Sequence, residues 1–244
     1  MTEYDVRYAI GQQEVKGYDT GQLREAFLAE KLMQAGKVYW VYSHYERFML
    51  GSAVPLATPL SLESIDPLKA DFFLARRELG VINVGGDGYV IADGERFELA
   101  REEALYLGQG NKEVSFHSMD KDKPARFYLN SAPAHHAYPN CKIGKQDANV
   151  LHLGSQATSN ERDINQLIIN KVVQTCQLQM GLTRLKSGSV WNTMPAHTHE
   201  RRMEAYLYFN DDVFLGNHVT KGDFLFIDGP NIGKAKMFLE PYNI

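Results

Sequence analysis

A chain of 244 residues that is 44% apolar and 23% charged, with 20 Gly and 9 Pro, has the composition of a folded globular protein and excludes bulk disorder. Twenty-six Lys and Arg against 30 Asp and Glu leave a net charge of −4, without the basic footprint that phosphate backbones and anionic membranes select. The two cysteines, Cys141 and Cys176, stand far apart and outside any CxxC spacing, which excludes a disulfide scaffold and a thiolate zinc ribbon. No apolar run approaches a membrane span, and the opening MTEYDVRYAI lacks an apolar signal core. The expectation is a cytoplasmic protein with neither a nucleic-acid nor a membrane partner.

In chain order, the first element is a helix capped by Asp19 or Thr20 and carrying Leu23, Ala26, Phe27, Leu32 and Met33 near helical spacing. Strands follow at Val38–Tyr45, Phe48–Val54, Val81–Val84 and Tyr89–Ala92, the last closed by the Asp93-Gly94 hairpin signal. The Gly85-Gly86-Asp87-Gly88 run lacks the strand–loop–helix context of a phosphate loop and reads as a turn. The stretch from Asn130 to Asn165 reads as a looser, polar middle, after which strands resume at Thr175–Leu185, Ala205–Phe209 and Phe224–Ile227. Many short strands with turn chemistry between them predict an all-β sandwich or barrel.

Two segments repeat in the same order. ARRELGVINVGG from Ala75 is similar to ERRMEAYLYFN from Glu200, which sets Glu78 against Glu204; EALYLGQGNKEVSF from Glu103 is similar to DFLFIDGPNIGKAKMF from Asp223. Duplication predicts two like units, residues 1–140 and 141–244, the second being the shorter.

The second unit carries the chemistry. His197 and His199 alternate on one strand, so both imidazoles face one side, about 7 Å apart at the backbone and within reach of one ion. Glu204 follows a short charged turn of Glu200, Arg201 and Arg202 and brings a carboxylate to the same ion. Two imidazoles and a carboxylate suit zinc, manganese or iron(II) with open positions, the mark of a catalytic site. The first unit has Phe72, Phe73, Leu74 and Ala75 where the histidines would stand. It cannot hold the same metal, and the expectation is a packing or oligomerising role.

The string His197-Thr198-His199-Glu200-Arg201-Arg202-Met203-Glu204, followed by Gly222-Asp223, the apolar Phe224–Ile227 and the Asp228–Lys234 turn, resembles the two motifs of the cupin barrel. A closer resemblance is carried by WNTMPAHTHERRMEAYLYF from Trp191, FFLARRELGVINVGG from Phe72, APAHHAYPN from Ala132, CQLQMGLT from Cys176 and QLREAFL from Gln22. Together these resemble the 5-keto-4-deoxyuronate isomerase family. The resemblance implies two tandem cupin-type barrels with a few short helices and a homohexamer. It also implies one zinc ion per chain on His197, His199 and Glu204, and conversion of 5-keto-4-deoxyuronate to 3-deoxy-D-glycero-2,5-hexodiulosonate in pectin breakdown.

The chain departs from that family at its C-terminal end. Where the family places a fourth zinc ligand, a histidine ending the second motif, this sequence reads Pro230-Asn231-Ile232-Gly233-Lys234. Three arrangements stay open: three protein ligands plus solvent, which we adopt; substitution by His218; or a degenerate, weakly metallated barrel. Among catalytic candidates, Glu204 tunes the ion. The base is Glu200, a metal-bound hydroxide or one of His135 and His136, and the substrate carboxylate is met by Arg202, Arg201 or Arg162. Trp191, Met194 and Tyr206 flank the motif as pocket lining or core, whereas His44, His117 and His152 read as ordinary hydrogen-bonded or surface residues. Two other classes share these residues: a sugar-acid-binding cupin without turnover, and another metal-dependent cupin enzyme such as an iron(II) dioxygenase.

Overall fold

A computed structural model describes residues 2–190 and 203–209, together with the backbone of 213–219 and 235–236. In chain order its strands are β1 (Thr2–Arg7), β2 (Val38–Ser43), β3 (Met49–Ala53), β4 (Leu60–Ser61), β5 (Arg77–Asn83) and β6 (Gly88–Ala92). Next come β7 (Glu95–Leu99), β8 (Ala104–Leu107), β9 (Val114–Ser118), β10 (Phe127–Pro133) and β11 (Cys141–Ile143). The last are β12 (Asn149–Leu153), β13 (Arg162–Ile168), β14 (Gln179–Leu185), β15 (Met203–Phe209), β16 (Val213–Val219) and β17 (Ala235–Lys236). The fold is all-β, with two short α-helices, α1 (Gln12–Val15) and α2 (Thr20–Phe27).

Three sheets stack as layers. The middle one runs β1-β2-β3-β10-β5-β8-β11; a four-stranded sheet, β4-β9-β6-β7, covers one face, and a six-stranded sheet, β12-β13-β14-β16-β15-β17, covers the other. Strand alternation divides the middle sheet between two cores. Leu79 and Val81 of β5 join Trp40, Phe73, Val90, Phe116 and Phe127 in the first core, where Trp40 stacks on Phe73 at 4.8 Å between ring centroids. Ile82, on the opposite face, meets Leu178, Met180, Leu182, Met203, Ala205 and Leu207 of the six-stranded sheet. Gly80 lets the layers approach, because a Cβ there would lie 2.2 Å from Met180 Sδ.

Several sequence expectations hold at residue level. Asp19 caps α2 with a reciprocal box: its carboxylate accepts from the Gln22 N–H at 2.8 Å while its own N–H donates to Gln22 Oε1 at 2.9 Å. Asp93 and Gly94 both have positive φ, 46° and 88°, and Ala92 pairs with Glu95, as a type I′ hairpin requires. Gly85 and Gly86 form a turn pressed against the chain, since a Cβ on Gly86 would sit 2.0 Å from the Lys123 carbonyl oxygen.

Two expectations are corrected. The helix ends at Phe27, and Leu32 and Met33 lie beyond it, Met33 at φ 62°. Phe27, Leu28 and Ala29 are all buried; a continuous apolar run suits extended chain buried on both sides better than a helical stripe. The segment from Asn130 to Asn165 also contains parts of four strands, β10 to β13. It reads as loose because β10 carries the buried polar pair Asn130 and Ser131, and because β13 alternates Arg162, Ile164 and Gln166 on a face turned away from the middle sheet. Strand β11 pairs with β8 in the middle sheet, so the six-stranded sheet begins at Asn149.

Candidate metal centre

Strand β15 sorts its residues by face. Met203, Ala205, Leu207 and Phe209 enter the core shared with the middle sheet, so Glu204, Tyr206 and Tyr208 occupy the opposite face. Glu204 is 1% exposed. Its Oε2 accepts a hydrogen bond from the Tyr206 hydroxyl at 3.0 Å, and the Tyr206 and Tyr208 rings stack at 6.3 Å between centroids, 21° from parallel. Burial holds the Tyr208 phenol far above its ordinary range, so it stays protonated.

The strand register sets what surrounds this carboxylate. Glu204 pairs with His218 of β16, and His218 pairs with Gln179 of β14, so the three form one row across the sheet. The next rows are Tyr206, Gly216, Gly181 and Gln166, then Tyr208, Phe214, Thr183 and Ile164. Across β13, β14 and β15 the described side chains in these three rows are amide, hydroxyl and phenol groups and one isoleucine, with Glu204 the one carboxylate among them. A carboxylate withdrawn from water is stabilised there by a bound cation, and oxygen from a buried carboxylate is a proper ligand for zinc or another divalent ion. Among the described residues no group of three such ligands comes together, so Glu204 supplies one donor of a set. His197, His199, Glu200, Arg201 and Arg202 lie outside the described residues, as do Trp191, Met194 and the turn at Pro230.

The same sorting separates the two repeated segments. Glu78 lies on the face of β5 that turns toward the six-stranded sheet, whereas Leu79 enters the first unit's own core. Pairing Arg76-Arg77 with Arg201-Arg202 sets Leu79, not Glu78, against Glu204, and a one-residue slip in a strand exchanges faces. The counterpart of the candidate ligand in the first unit is thus a buried leucine. The Phe72–Ala75 segment departs from histidine chemistry in the same way, with Phe73 and Leu74 buried in the first core.

Glu78 is a cross-link between layers. Fully buried, it accepts from the Tyr106 hydroxyl at 2.8 Å and from the backbone N–H groups of Cys176, Gln177 and Leu178 at 2.8, 2.9 and 2.7 Å. Burial, then the adjacent carboxylate, drives the Tyr106 phenol far up, keeping it a donor. Three successive N–H groups aimed at one carboxylate fix the chain immediately before Gln179, and with it the start of β14 in the Glu204 row.

The remaining candidates separate by position. Arg162 pairs with Leu185, at the other end of β14 from Gln179 and about 20 Å away along the strand, which is too far for one hexuronate held at Glu204. Its Nη1 donates to the Asn160 carbonyl instead. The exposed pair His135 and His136 lies in the segment that packs beside Cys176 and Gln177, through Cys176 Sγ to the His136 carbonyl at 3.3 Å and Gln177 Nε2 to the Pro133 carbonyl at 2.6 Å. This brings the pair near the Gln179 end of the sheet. His44 stacks on Tyr8, His117 stacks on Tyr89, and His152 bonds to Asp163, as expected of ordinary histidines. Gln179, which the sequence does not single out, joins the Glu204 row; its signal lies in the CQLQMGLT string, where it falls on the same strand face as Gly181 and Thr183.

Residues 27–218 match the KduI/IolB family. Over 209 residues the chain is 57% identical to the 4-deoxy-L-threo-5-hexosulose-uronate ketol-isomerase of Formosa agariphila, covering 86% of this chain and 75% of that protein. It is 54% identical over 208 residues to 4-deoxy-L-threo-5-hexosulose-uronate ketol-isomerase 1 of Bacteroides thetaiotaomicron, covering 85% and 74%. Among solved structures, an IolB-like protein from Salmonella typhimurium LT2 has a TM-score of 0.55 at 13% identity, over 79% of this chain and 92% of that one, a likeness of fold.

Proposed function

The chain belongs to the KduI/IolB family, and from that premise we propose that it is a metal-dependent ketol-isomerase that converts 5-keto-4-deoxyuronate to 3-deoxy-D-glycero-2,5-hexodiulosonate. The observation that carries the reading is the buried Glu204 carboxylate on a polar strand face, inside the stretch that is 57% identical to a named isomerase. His197, His199 and Glu204 would hold one divalent ion, zinc by the ligand types, with solvent completing the set. When bound, the ion supplies positive charge where the enediolate oxygen develops its negative charge.

The reaction breaks the C–H bond beside the aldehyde and returns a proton to the former carbonyl carbon, while a hydroxyl proton changes oxygen. Atoms and electrons balance without an oxidant, nicotinamide or phosphate. Glu200 or one of His135 and His136 takes and returns the carbon-bound proton, and Arg201 or Arg202 grips the substrate carboxylate in a two-point contact. Gln179 offers neutral hydrogen bonds to sugar hydroxyls along the Glu204 face. Glu78 keeps the start of β14 in place beneath it.

The same reading makes the protein a cytoplasmic homohexamer acting in the breakdown of pectin-derived uronates, with the first unit supplying packing surface. No helix among the described residues is long and apolar enough to cross a membrane. Incubation of the purified protein with 5-keto-4-deoxyuronate should give the diketo acid in the absence of any redox cofactor, with loss on chelation and recovery on adding zinc. Turnover that survives exhaustive chelation unchanged would remove the metal from the proposal, and no turnover by folded, zinc-loaded protein would remove the isomerase.

A further inference from the structure

Resting on the metal reading above, the geometry points to a second layer of the site: we propose that Tyr206 is a positioning residue that orients the Glu204 carboxylate toward the divalent ion. Alternation on β15 puts Tyr206 on the same face as Glu204, two residues along, and its hydroxyl donates to Glu204 Oε2 at 3.0 Å. Glu204 is 1% exposed, so bulk water does not orient the carboxylate, and three side-chain torsions must be fixed by neighbours. The phenol fixes one oxygen and thereby the plane and direction of the group. Tyr208 stacks on the Tyr206 ring and limits its tilt, extending the support along the strand.

The identity of the donor matters. A lysine or arginine in this place would neutralise the carboxylate and compete with the metal. A phenol donates one hydrogen bond without bringing a positive charge of its own, which is how outer hydrogen-bond partners tune metal ligands elsewhere. Loss of such a partner weakens metal affinity by about 10- to 100-fold.

The test is zinc affinity, measured by competition with a chromogenic chelator, in wild type, Tyr206→Phe, Glu204→Gln, the Tyr206→Phe/Glu204→Gln double variant and His197→Ala/His199→Ala, with circular dichroism confirming the fold. Phenylalanine keeps the ring against Tyr208 and removes only the hydroxyl. Tyr206→Phe is expected to weaken zinc binding about 10-fold or more, and to add nothing once Glu204 is already glutamine, because the phenol acts through the carboxylate. Wild-type affinity in Tyr206→Phe, alongside loss in the histidine variant, would overturn the Tyr206 role and leave the metal reading standing. An equal loss in both Glu204 backgrounds would overturn it too, by making the effect independent of the carboxylate. Zinc bound equally by wild type and the histidine variant, or by neither, would overturn the metal reading and this inference with it.

Discussion

Replacing Glu78 with glutamine probes the contact that joins the middle sheet to the chain entering β14. The carboxylate accepts four hydrogen bonds, two on each oxygen: Tyr106 and Cys176 on Oε2, Gln177 and Leu178 on Oε1. A glutamine keeps one acceptor oxygen and turns an NH2 group toward the other pair of donors. Two charge-assisted bonds are lost, each worth about 1.5–3 kcal/mol, and two buried N–H or O–H donors lose their acceptor. The expected cost is about 3–5 kcal/mol, the range for breaking a buried charged network by changing one partner. At about 2–4 °C per kcal/mol for a chain of this size, the melting temperature should fall by roughly 6–20 °C. Calorimetry gives the fall, and amide hydrogen exchange localises it: exchange at Cys176, Gln177 and Leu178 should accelerate more than exchange in β6 and β9, which belong to the far sheet. Tyr106→Phe removes one bond and should cost about 1–2 kcal/mol. A Glu78→Gln protein as stable as wild type, with unchanged exchange at residues 176–178, would show that the carboxylate does not hold the layers together.

Three further outcomes are expected. Burial raises the Glu102 carboxyl, but Arg184 and Lys145 together outweigh it and hold the group below its ordinary value. Its stabilising contribution is therefore present above the unfolded-state pKa, about 4.3, and lost as pH falls through the lower folded value; Glu102→Gln should be destabilised at pH 7 by a margin that shrinks as pH falls through that value, and a stability gap independent of pH would contradict this. Gly86→Ala forces a Cβ against the Lys123 carbonyl, where the rigid backbone cannot yield, and should cost about 1–3 kcal/mol in denaturant unfolding; a neutral effect would show that the turn has room. Elemental analysis should find one divalent ion per chain in wild type and loss of it in His197→Ala/His199→Ala; equal stoichiometry in both would dismiss those ligands.

Local chemistry was readable from sequence where one residue type satisfies one requirement. Asp19 with Gln22 makes a cap, Asp93-Gly94 supplies two positive φ angles, and the β-branched and aromatic residues around β2, β3 and β5 mark strands. The all-β class followed from these. Periodicity marks a strand when one face is apolar; β13 presents Arg162 and Gln166 on the face away from the middle sheet, and in β12 Val150, Leu151 and Leu153 are exposed and do not alternate regularly with polar residues. Glu78 was placed with Glu204 because the sequence similarity tolerates a one-residue shift, while strand geometry does not. Its three N–H partners lie about a hundred positions downstream and leave no local trace. Within the candidate site, Glu204 was legible from its spacing to the histidines, but the Tyr206 bond and the alignment of Gln179 with His218 depend on strand pairing.

Movement of a proton between adjacent carbons of a keto-deoxyuronate is read out by running the reaction in deuterium oxide and following the product by proton NMR. 5-Keto-4-deoxyuronate should become the diketo acid with deuterium on the former aldehyde carbon, to the extent that the base exchanges with solvent. Glu204→Gln should lower kcat far more than it changes KM, as expected of a group acting chiefly in the transition state. Recovery of unreacted substrate from folded, zinc-loaded wild-type protein would contradict the isomerisation.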